Sequence, residues 1–177
     1  NVQSVACGYQ HMILLTRDHQ LYACGANAFG QTGLCRVVDP GSTPIFSFRQ
    51  LPDCTETGFQ TGQISKIVCS GNRSFFISRY NELWACGYNR NGQLGLGHDV
   101  ESVHVPSVVD YRTSLRRVRE REPRLVPSTR VVHLDIVASL DHNLMVVTVS
   151  NHHSLQYRLW QQHASGSVSD VSVVTAR

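Results

Sequence analysis

Two segments of this chain, residues 5–34 and 67–96, are copies of one sequence and align without a gap at an offset of 62 positions. The identical positions include small, polar and apolar residues at fixed spacing. They are Cys7/Cys69, Ala23/Ala85, Cys24/Cys86, Gly25/Gly87, Asn27/Asn89, Gly30/Gly92, Gln31/Gln93, Gly33/Gly95 and Leu34/Leu96. A repeat of this length is typical of architectures in which one small unit buries its faces against neighbouring copies. The chain is therefore expected to fold as a row of similar units.

Further copies of the repeat are weaker. Residues 136–148 match the start of the first copy and place His142 at the position of His11. This third copy lacks the Gly-Gln-x-Gly segment that the first two copies contain. Residues 168–172 resemble residues 64–68, which indicates the start of a fourth copy.

Each full copy contains two short apolar runs joined by a polar turn. The runs are Met12–Thr16 and Leu21–Cys24 in the first copy, and Phe75–Ser78 and Leu83–Cys86 in the second. Polar residues separate the two runs in each copy, which is the pattern of a β-hairpin. A repeated unit of short antiparallel strands predicts the blades of a β-propeller.

Composition excludes several classes of protein. Charged residues make up 16% of the chain and apolar residues 41%, which is the balance of a folded domain and not of a disordered segment. No apolar run approaches the ~18 residues of a membrane span, so we expect no membrane partner. The net charge of +3 does not by itself indicate nucleic-acid binding.

Neither the six cysteines nor the other reactive residues predict a metal site or an enzyme. The sequence has no C-x-x-C pair, which is the common zinc spacing, and a domain of this size does not need disulfides. We therefore expect reduced thiols and an intracellular protein of the cytoplasm or nucleus. A nucleophile-elbow motif and a phosphate-binding loop are also missing from the sequence. We expect no catalytic residues, no cofactor and no metal ion.

The segment after each hairpin carries the motif Gly-x-Asn-x-x-Gly-Gln-x-Gly-Leu. Its glycines, asparagines and glutamines are ten residues: Gly25, Asn27, Gly30, Gln31 and Gly33 in the first copy, and Gly87, Asn89, Gly92, Gln93 and Gly95 in the second. Together with the upstream segment 6–11, this motif resembles the repeats of the regulator of chromosome condensation (RCC1) family. The resemblance implies an all-β fold, a partial RCC1-type β-propeller of about three blades of short antiparallel strands with two long loop insertions. It also implies that the ten motif residues form structural turns of the blades.

The resemblance further implies a domain organisation. We expect a single RCC1-like repeat domain, 1–177, composed of repeat one, repeat two, a degenerate repeat three and the start of repeat four. These cover residues 1–62, 63–131, 132–166 and 167–177, and the insertions are residues 35–63 and 98–131. RCC1-type propellers typically close with seven blades, so we expect the chain to be part of a larger ring. The alternatives are an open arc and ring closure by self-association.

Arginines are concentrated in the second insertion. They include Arg112, Arg116, Arg117, Arg119, Arg121 and Arg124. We expect Thr113–Glu122 to form one or two helical turns that end at Pro123. This segment is either a solvated loop or a binding site for an acidic partner. The acidic partner is nucleic acid or chromatin, an acidic histone-type surface, or an acidic protein tail.

These features favour a non-enzymatic RCC1-like scaffold that binds a protein partner on its rim, as part of a larger propeller. The resemblance also implies an alternative, guanine-nucleotide exchange on a Ran-type small GTPase with chromatin attachment. The residues that such exchange factors use cannot be matched onto this sequence. Another alternative is a repeat domain within a ubiquitin ligase or other multidomain regulator.

Overall fold

The computed structural model describes residues 1–34, 44–97, 100–121, 131–138, 143–149 and 156–161, which form eleven strands and one α-helix. The strands belong to three antiparallel sheets. The first sheet contains β1 (Val2–Cys7), β2 (His11–Thr16), β3 (Leu21–Gly25) and β4 (Ile45–Gln50). The second contains β5 (Ile64–Ser70), β6 (Arg73–Ser78), β7 (Leu83–Tyr88) and β8 (Ser102–Val108), and helix α1 (Tyr111–Arg121) follows it. The third contains β9 (Val131–Ala138), β10 (Asn143–Val149) and β11 (Gln156–Gln161).

The first two sheets have the same order and register. Each strand pairs with the next one along the chain, so the orders are β1-β2-β3-β4 and β5-β6-β7-β8. His11 lies opposite Gly25 in the first sheet, and Arg73 lies opposite Gly87 in the second. The hairpin turns contain His19 and Asn81, which adopt matching left-handed φ angles of 59° and 57°. The predicted hairpins and the partial propeller are therefore confirmed, and each four-stranded sheet is one blade.

The two insertions were expected to be loops apart from the helical turns at Thr113–Glu122, but each of them also contains a strand that was not predicted. The first contains β4, which pairs with β3, and the second contains both β8 and α1. The strands were missed because their apolar pattern is poor: only Ile45 of β4 is buried, and β8 contains Pro106. Pairing with the preceding strand, which is a long-range contact, creates them. Residues 35–43, the proposed fourth copy and Pro123 lie outside the described residues.

Helix α1 also differs from its prediction. It begins at Tyr111, two residues before the expected start, and it is eleven residues long. Asp110 precedes it, and its carboxylate accepts hydrogen bonds from the Thr113 backbone N–H (3.1 Å) and the Thr113 hydroxyl (2.6 Å). Asp110 is thus the N-cap, and this capping favours the earlier start. The helices in the described part of the chain are too short and too polar to cross a bilayer.

Two apolar clusters hold the three blades together. The cluster between the first and second blades includes Ile13 and Leu15 from the first blade and Phe76 and Trp84 from the second. Phe59 fills the same cluster and contacts both of these aromatic rings edge-on. The cluster between the second and third blades includes Phe75, Ile77, Leu83, Ala85, Leu134 and Ile136. The second blade is therefore buried on both faces, as expected for a unit in the middle of a repeat array.

Candidate interaction surface

The asparagine side chain of each motif turn forms hydrogen bonds with a residue five positions later in the same turn. The Asn27 side-chain oxygen accepts hydrogen bonds from the Thr32 backbone N–H at 3.1 Å and the Thr32 hydroxyl at 2.5 Å. The Asn89 side-chain oxygen accepts a hydrogen bond from the Leu94 N–H at 2.9 Å. Both asparagines are buried, so these bonds satisfy acceptors that would otherwise be left without water. The asparagines serve the blade architecture and are not available to a ligand.

The glutamine of each motif has the same local function. The Gln31 side-chain oxygen accepts a hydrogen bond from the Phe29 N–H at 3.0 Å, and the Gln93 oxygen accepts one from the Asn91 N–H at 2.9 Å. Gln31 is also buried against the second blade, because its backbone oxygen accepts a bond from Ser74. The asparagine and the glutamine of each copy thus lie in the same turn, whereas Gly25 and Gly87 belong to strands β3 and β7.

Gly30 shows why the motif needs glycine where one blade meets the next. Its φ is +81°, and a Cβ atom at this position would lie 2.3 Å from the Cα of His104 in β8. Gly33 has a φ of +69°, and its Cβ would approach Pro106 of the same strand. The first motif turn therefore packs directly under the fourth strand of the second blade. Gly92, at the matching position of the second copy, has no described atom within 4 Å of such a Cβ.

A polar junction also connects the first two blades. The Ser74 hydroxyl donates to the Gln31 backbone oxygen at 2.6 Å and lies 2.8 Å from Nε2 of His11. Because the Ser74 hydroxyl donates its proton to Gln31, its oxygen is the acceptor for His11. His11 therefore donates from Nε2, and its Nδ1 atom is unprotonated. That Nδ1 atom has no hydrogen-bond partner among the described residues. Burial lowers the pKa of His11 to about 4, so the ring is neutral at physiological pH.

Comparison of the copies matches His142 to the position of His11, but it does not identify Ser74 as the partner of His11. Ser74 stands where the first copy has Met12, so comparison of the copies shows no polar pattern at this position. The thiol of Cys69 lies 3.4 Å from the Ser74 hydroxyl, and burial raises the pKa of this thiol to about 12. A thiol with such a pKa stays protonated, which fits a structural role. The cysteines in the described part of the chain form no disulfide bond.

Helix α1 is attached to the core by two of its residues. Tyr111 and Leu115 are one turn apart and are both buried in the cluster between the second and third blades. The Tyr111 hydroxyl donates a hydrogen bond to the backbone oxygen of Asn81, in the hairpin turn of the second blade. The helix is therefore fixed on the blade at Tyr111 and Leu115, and the faces that carry its described arginines are exposed.

The predicted arginines lie on those exposed faces. Arg112, Arg116, Arg117, Arg119 and Arg121 are all exposed, and Arg124 lies outside the described residues. We name these five side chains the arginine surface. Arg112, Arg116 and Arg119 fall within roughly 60° of one another around the helix axis and form one stripe. Arg112 donates to the backbone oxygen of Tyr80 at 3.3 Å, and no ion pair joins the five arginines to another described residue.

Asp110→Ala is expected to lower the free energy of unfolding by about 1 kcal/mol, because it removes the cap that holds the first turn of α1. The hydrogen bonds to Thr113 also hold the pKa of Asp110 below its usual range, so the carboxylate is ionised at neutral pH. Glu120→Ala on the same helix is the matched control, because Glu120 is exposed and no described hydrogen bond involves it. Urea denaturation of both variants measures the difference. Equal losses would show that the cap does not stabilise α1.

The fold and its junctions define a class of protein: a β-propeller built from repeated four-stranded blades. The chain belongs to the RCC1 repeat family. Two family models described as regulator of chromosome condensation (RCC1) repeat match residues 2–31 and 80–154, which together are more than half of the chain.

Several known proteins are similar to this chain over part of their length. It is 31% identical over 97 residues to the RCC1-like G exchanging factor-like protein of Mus musculus, covering 55% of this chain and 20% of that protein. It is 37% identical over 84 residues to the secretion-regulating guanine nucleotide exchange factor of Bos taurus, covering 48% and 16%. The chain thus spans about a fifth or less of the length of these relatives.

Solved structures show the same fold. Prp20p from Saccharomyces cerevisiae superimposes with a TM-score of 0.58 at 18% identity, covering 89% of this chain and 33% of that one. Human WBSCR16 gives a TM-score of 0.58 at 20% identity, with the same coverage. This likeness confirms an RCC1-type propeller fold for the chain.

Proposed function

We propose that this chain is a non-enzymatic protein-interaction scaffold, part of a larger RCC1-type propeller, whose arginine surface binds an acidic protein partner. The observation that carries the proposal is the way in which α1 packs on the second blade. Tyr111 and Leu115 are buried in the core, while five arginines on the same helix are exposed and have no described ion-pair partner. Arginine binds carboxylates through a planar fork of N–H donors, so such a surface suits an acidic protein.

The rigidity of α1 supports this proposal. An interaction segment that is already folded loses less conformational entropy on binding than a flexible loop. Asp110 caps the helix and Tyr111 bonds to the second blade, so its arginines are held in place before any partner arrives. Concentrated positive charge on a fixed helix also accelerates the encounter with an acidic surface.

The internal use of the motif residues supports a scaffold without catalytic chemistry. Asn27, Asn89, Gln31 and Gln93 all bind backbone groups of their own turns. The buried His11 contacts Ser74 across the junction between blades and is enclosed there. These polar side chains stabilise the repeat, and the exposed arginines are left for an external partner.

The triple variant Arg112→Ala, Arg116→Ala and Arg119→Ala is expected to bind a short polyglutamate peptide about tenfold more weakly than the unmodified chain. The loss of three contacts of about 0.5 kcal/mol each corresponds to this factor. Fluorescence anisotropy of the labelled peptide, at about 0.15 M salt and below, measures the affinity.

The matched control for this experiment removes three exposed arginines from elsewhere: Arg17→Ala, Arg49→Ala and Arg90→Ala. Both triple variants lower the net charge equally, so the control isolates position from charge. We expect the control to bind nearly as well as the unmodified chain. Equal weakening in both variants would show that only net charge attracts the peptide.

A second candidate function is guanine-nucleotide exchange. The mouse and bovine relatives are named as exchange factors, and yeast Prp20p is described by its binding to Gsp1p and histones. Exchange predicts that adding this chain accelerates the release of labelled GDP from a Ran-type small GTPase. Binding of the GTPase without faster GDP release would favour the scaffold, and accelerated release would favour exchange.

A further inference from the structure

An exposed tyrosine lies beside the first arginine of the arginine surface. Tyr80 is in the hairpin turn of the second blade and is 59% exposed. Arg112 of α1 donates a hydrogen bond to the Tyr80 backbone oxygen at 3.3 Å. The Tyr111 hydroxyl donates to the backbone oxygen of the next turn residue, Asn81. The hairpin turn and the first turn of α1 therefore form one continuous surface.

The turn that carries Tyr80 is fixed by its own hydrogen bonds. The buried Ser78 hydroxyl accepts hydrogen bonds from the backbone N–H groups of Tyr80 at 3.1 Å and Glu82 at 3.2 Å. The Asn81 N–H donates to the Ser78 backbone oxygen at 3.0 Å. Because both the turn and the helix are fixed, Tyr80 and Arg112 are held next to each other before any partner binds. Binding to such a pair loses little conformational entropy.

The first blade has the same turn without the aromatic residue. At the offset of 62, Asp18 occupies the position of Tyr80, although His19 and Asn81 adopt matching left-handed φ angles. The geometry of the turn therefore does not require an aromatic side chain. Residues 51–63, which follow the last strand of the first blade, contain no α-helix. Of the two turns, only the one beside the arginine helix carries a tyrosine.

The groups around Tyr80 define the chemistry of a partner. Arg79, Arg112 and Arg116 are all exposed. The two carboxylates at this end of the helix, Glu82 and Asp110, each accept a hydrogen bond from a nearby hydroxyl group of the chain. A purely apolar partner would leave the arginines without acceptors, and a purely acidic partner would leave the Tyr80 ring uncovered. A partner that contacts both must therefore combine carboxylates with an apolar group.

We propose that Tyr80 determines which acidic partners the arginine surface prefers, namely segments with an aromatic residue two or three positions from a run of carboxylates. This inference rests on the proposed function, because the arginines supply the attraction to the carboxylates. Two or three residues of extended chain span ~7–10 Å, which suits simultaneous contact with the Arg112 guanidinium and the adjacent Tyr80 ring. Aromatic pairs add affinity beyond the area that they bury, and tyrosine is one of the residues that dominate binding at interfaces.

Two labelled peptides of equal charge test the proposal by fluorescence anisotropy. Each contains the same short run of glutamates. One peptide has Phe-Gly before the run and Gly-Phe after it, and the other has alanine in place of each phenylalanine. Phenylalanine at both ends makes the test independent of the direction in which the peptide binds. The unmodified chain is expected to bind the phenylalanine peptide about fivefold more tightly than the alanine peptide.

Tyr80→Ala is expected to abolish this preference, so that the two peptides bind equally. Tyr80→Asp is a second variant with the same expected loss, because the first blade accommodates Asp18 in the equivalent turn. Tyr9→Ala is the matched control, since Tyr9 is 62% exposed in the turn between β1 and β2. The control is expected to retain the fivefold preference.

The inference is overturned if the unmodified chain binds the two peptides equally, or if the preference survives both Tyr80 substitutions. The triple variant of Arg112, Arg116 and Arg119 separates this result from failure of the proposed function. If it weakens binding of the alanine peptide while Tyr80 has no effect on the preference, only the inference about Tyr80 fails. If it binds both peptides as tightly as the unmodified chain, the proposed function fails and the inference fails with it.

Discussion

Gly30→Ala is expected to lower the free energy of unfolding by about 3 kcal/mol, whereas Gly92→Ala is expected to lower it by about 1 kcal/mol. The two glycines occupy the same motif position and have similar left-handed φ angles, +81° and +70°. Alanine therefore has a similar backbone cost at both positions. Only at Gly30 does the added Cβ also collide with the backbone of His104, 2.3 Å away. The additional loss thus measures the contact between the first two blades.

Denaturant unfolding of both variants, under identical conditions, measures this difference. The Gly92 variant serves as the internal control for left-handed strain. If both variants lost the same stability, the first motif turn would not pack under β8, and the blade junction would be arranged differently from the one described.

Acidification from pH 6.5 to pH 4 is expected to remove about 3 kcal/mol of stability through His11 alone. Its folded pKa of about 4 lies below the ordinary value of 6.5, so the unfolded chain binds a proton first. The contribution is complete above pH 6.5 and is lost as the pH falls towards 4. Protonation would add a second N–H donor to the His11 ring, at Nδ1, which has no described acceptor. This donor would be buried in the junction that His11 forms with Ser74.

The pH dependence is best measured by comparing the free energy of unfolding of two variants with that of the unmodified chain across this pH range. His11→Gln is expected to be less stable than the unmodified chain at pH 7 and to lose less stability on acidification, because glutamine does not titrate. His133→Gln is the control, since His133 is exposed on β9. It is expected to retain the slope of the unmodified chain. An unchanged slope in the His11 variant would place the titrating group elsewhere.

The hairpins of the first two blades could be predicted from sequence because the residues that determine them are close together in the chain. The apolar runs, the four-residue turns and the glycine motif recur at one offset, and each determines structure within a few residues. The family could be recognised for the same reason. The repeat did not show that Gly30 and Gly92 have different surroundings.

The missed features depend on contacts between distant segments. β4 and β8 exist through pairing with β3 and β7, and their own sequences have little alternation. Ser74 meets His11 across 63 positions, and neither residue alone indicates the other. The arginine cluster was visible in the sequence, but its fixed position on the blade follows from Tyr111, whose hydroxyl bonds to Asn81.

The arginine surface is tested most directly by hydrogen–deuterium exchange of the chain with and without the polyglutamate peptide. Backbone amides of Tyr111–Arg121 are expected to exchange more slowly in the complex, because a bound acidic chain stabilises the helix that carries the arginines. The strands of the first blade are expected to exchange at the same rate in both samples. Protection of another surface, with no change in α1, would contradict the proposed function.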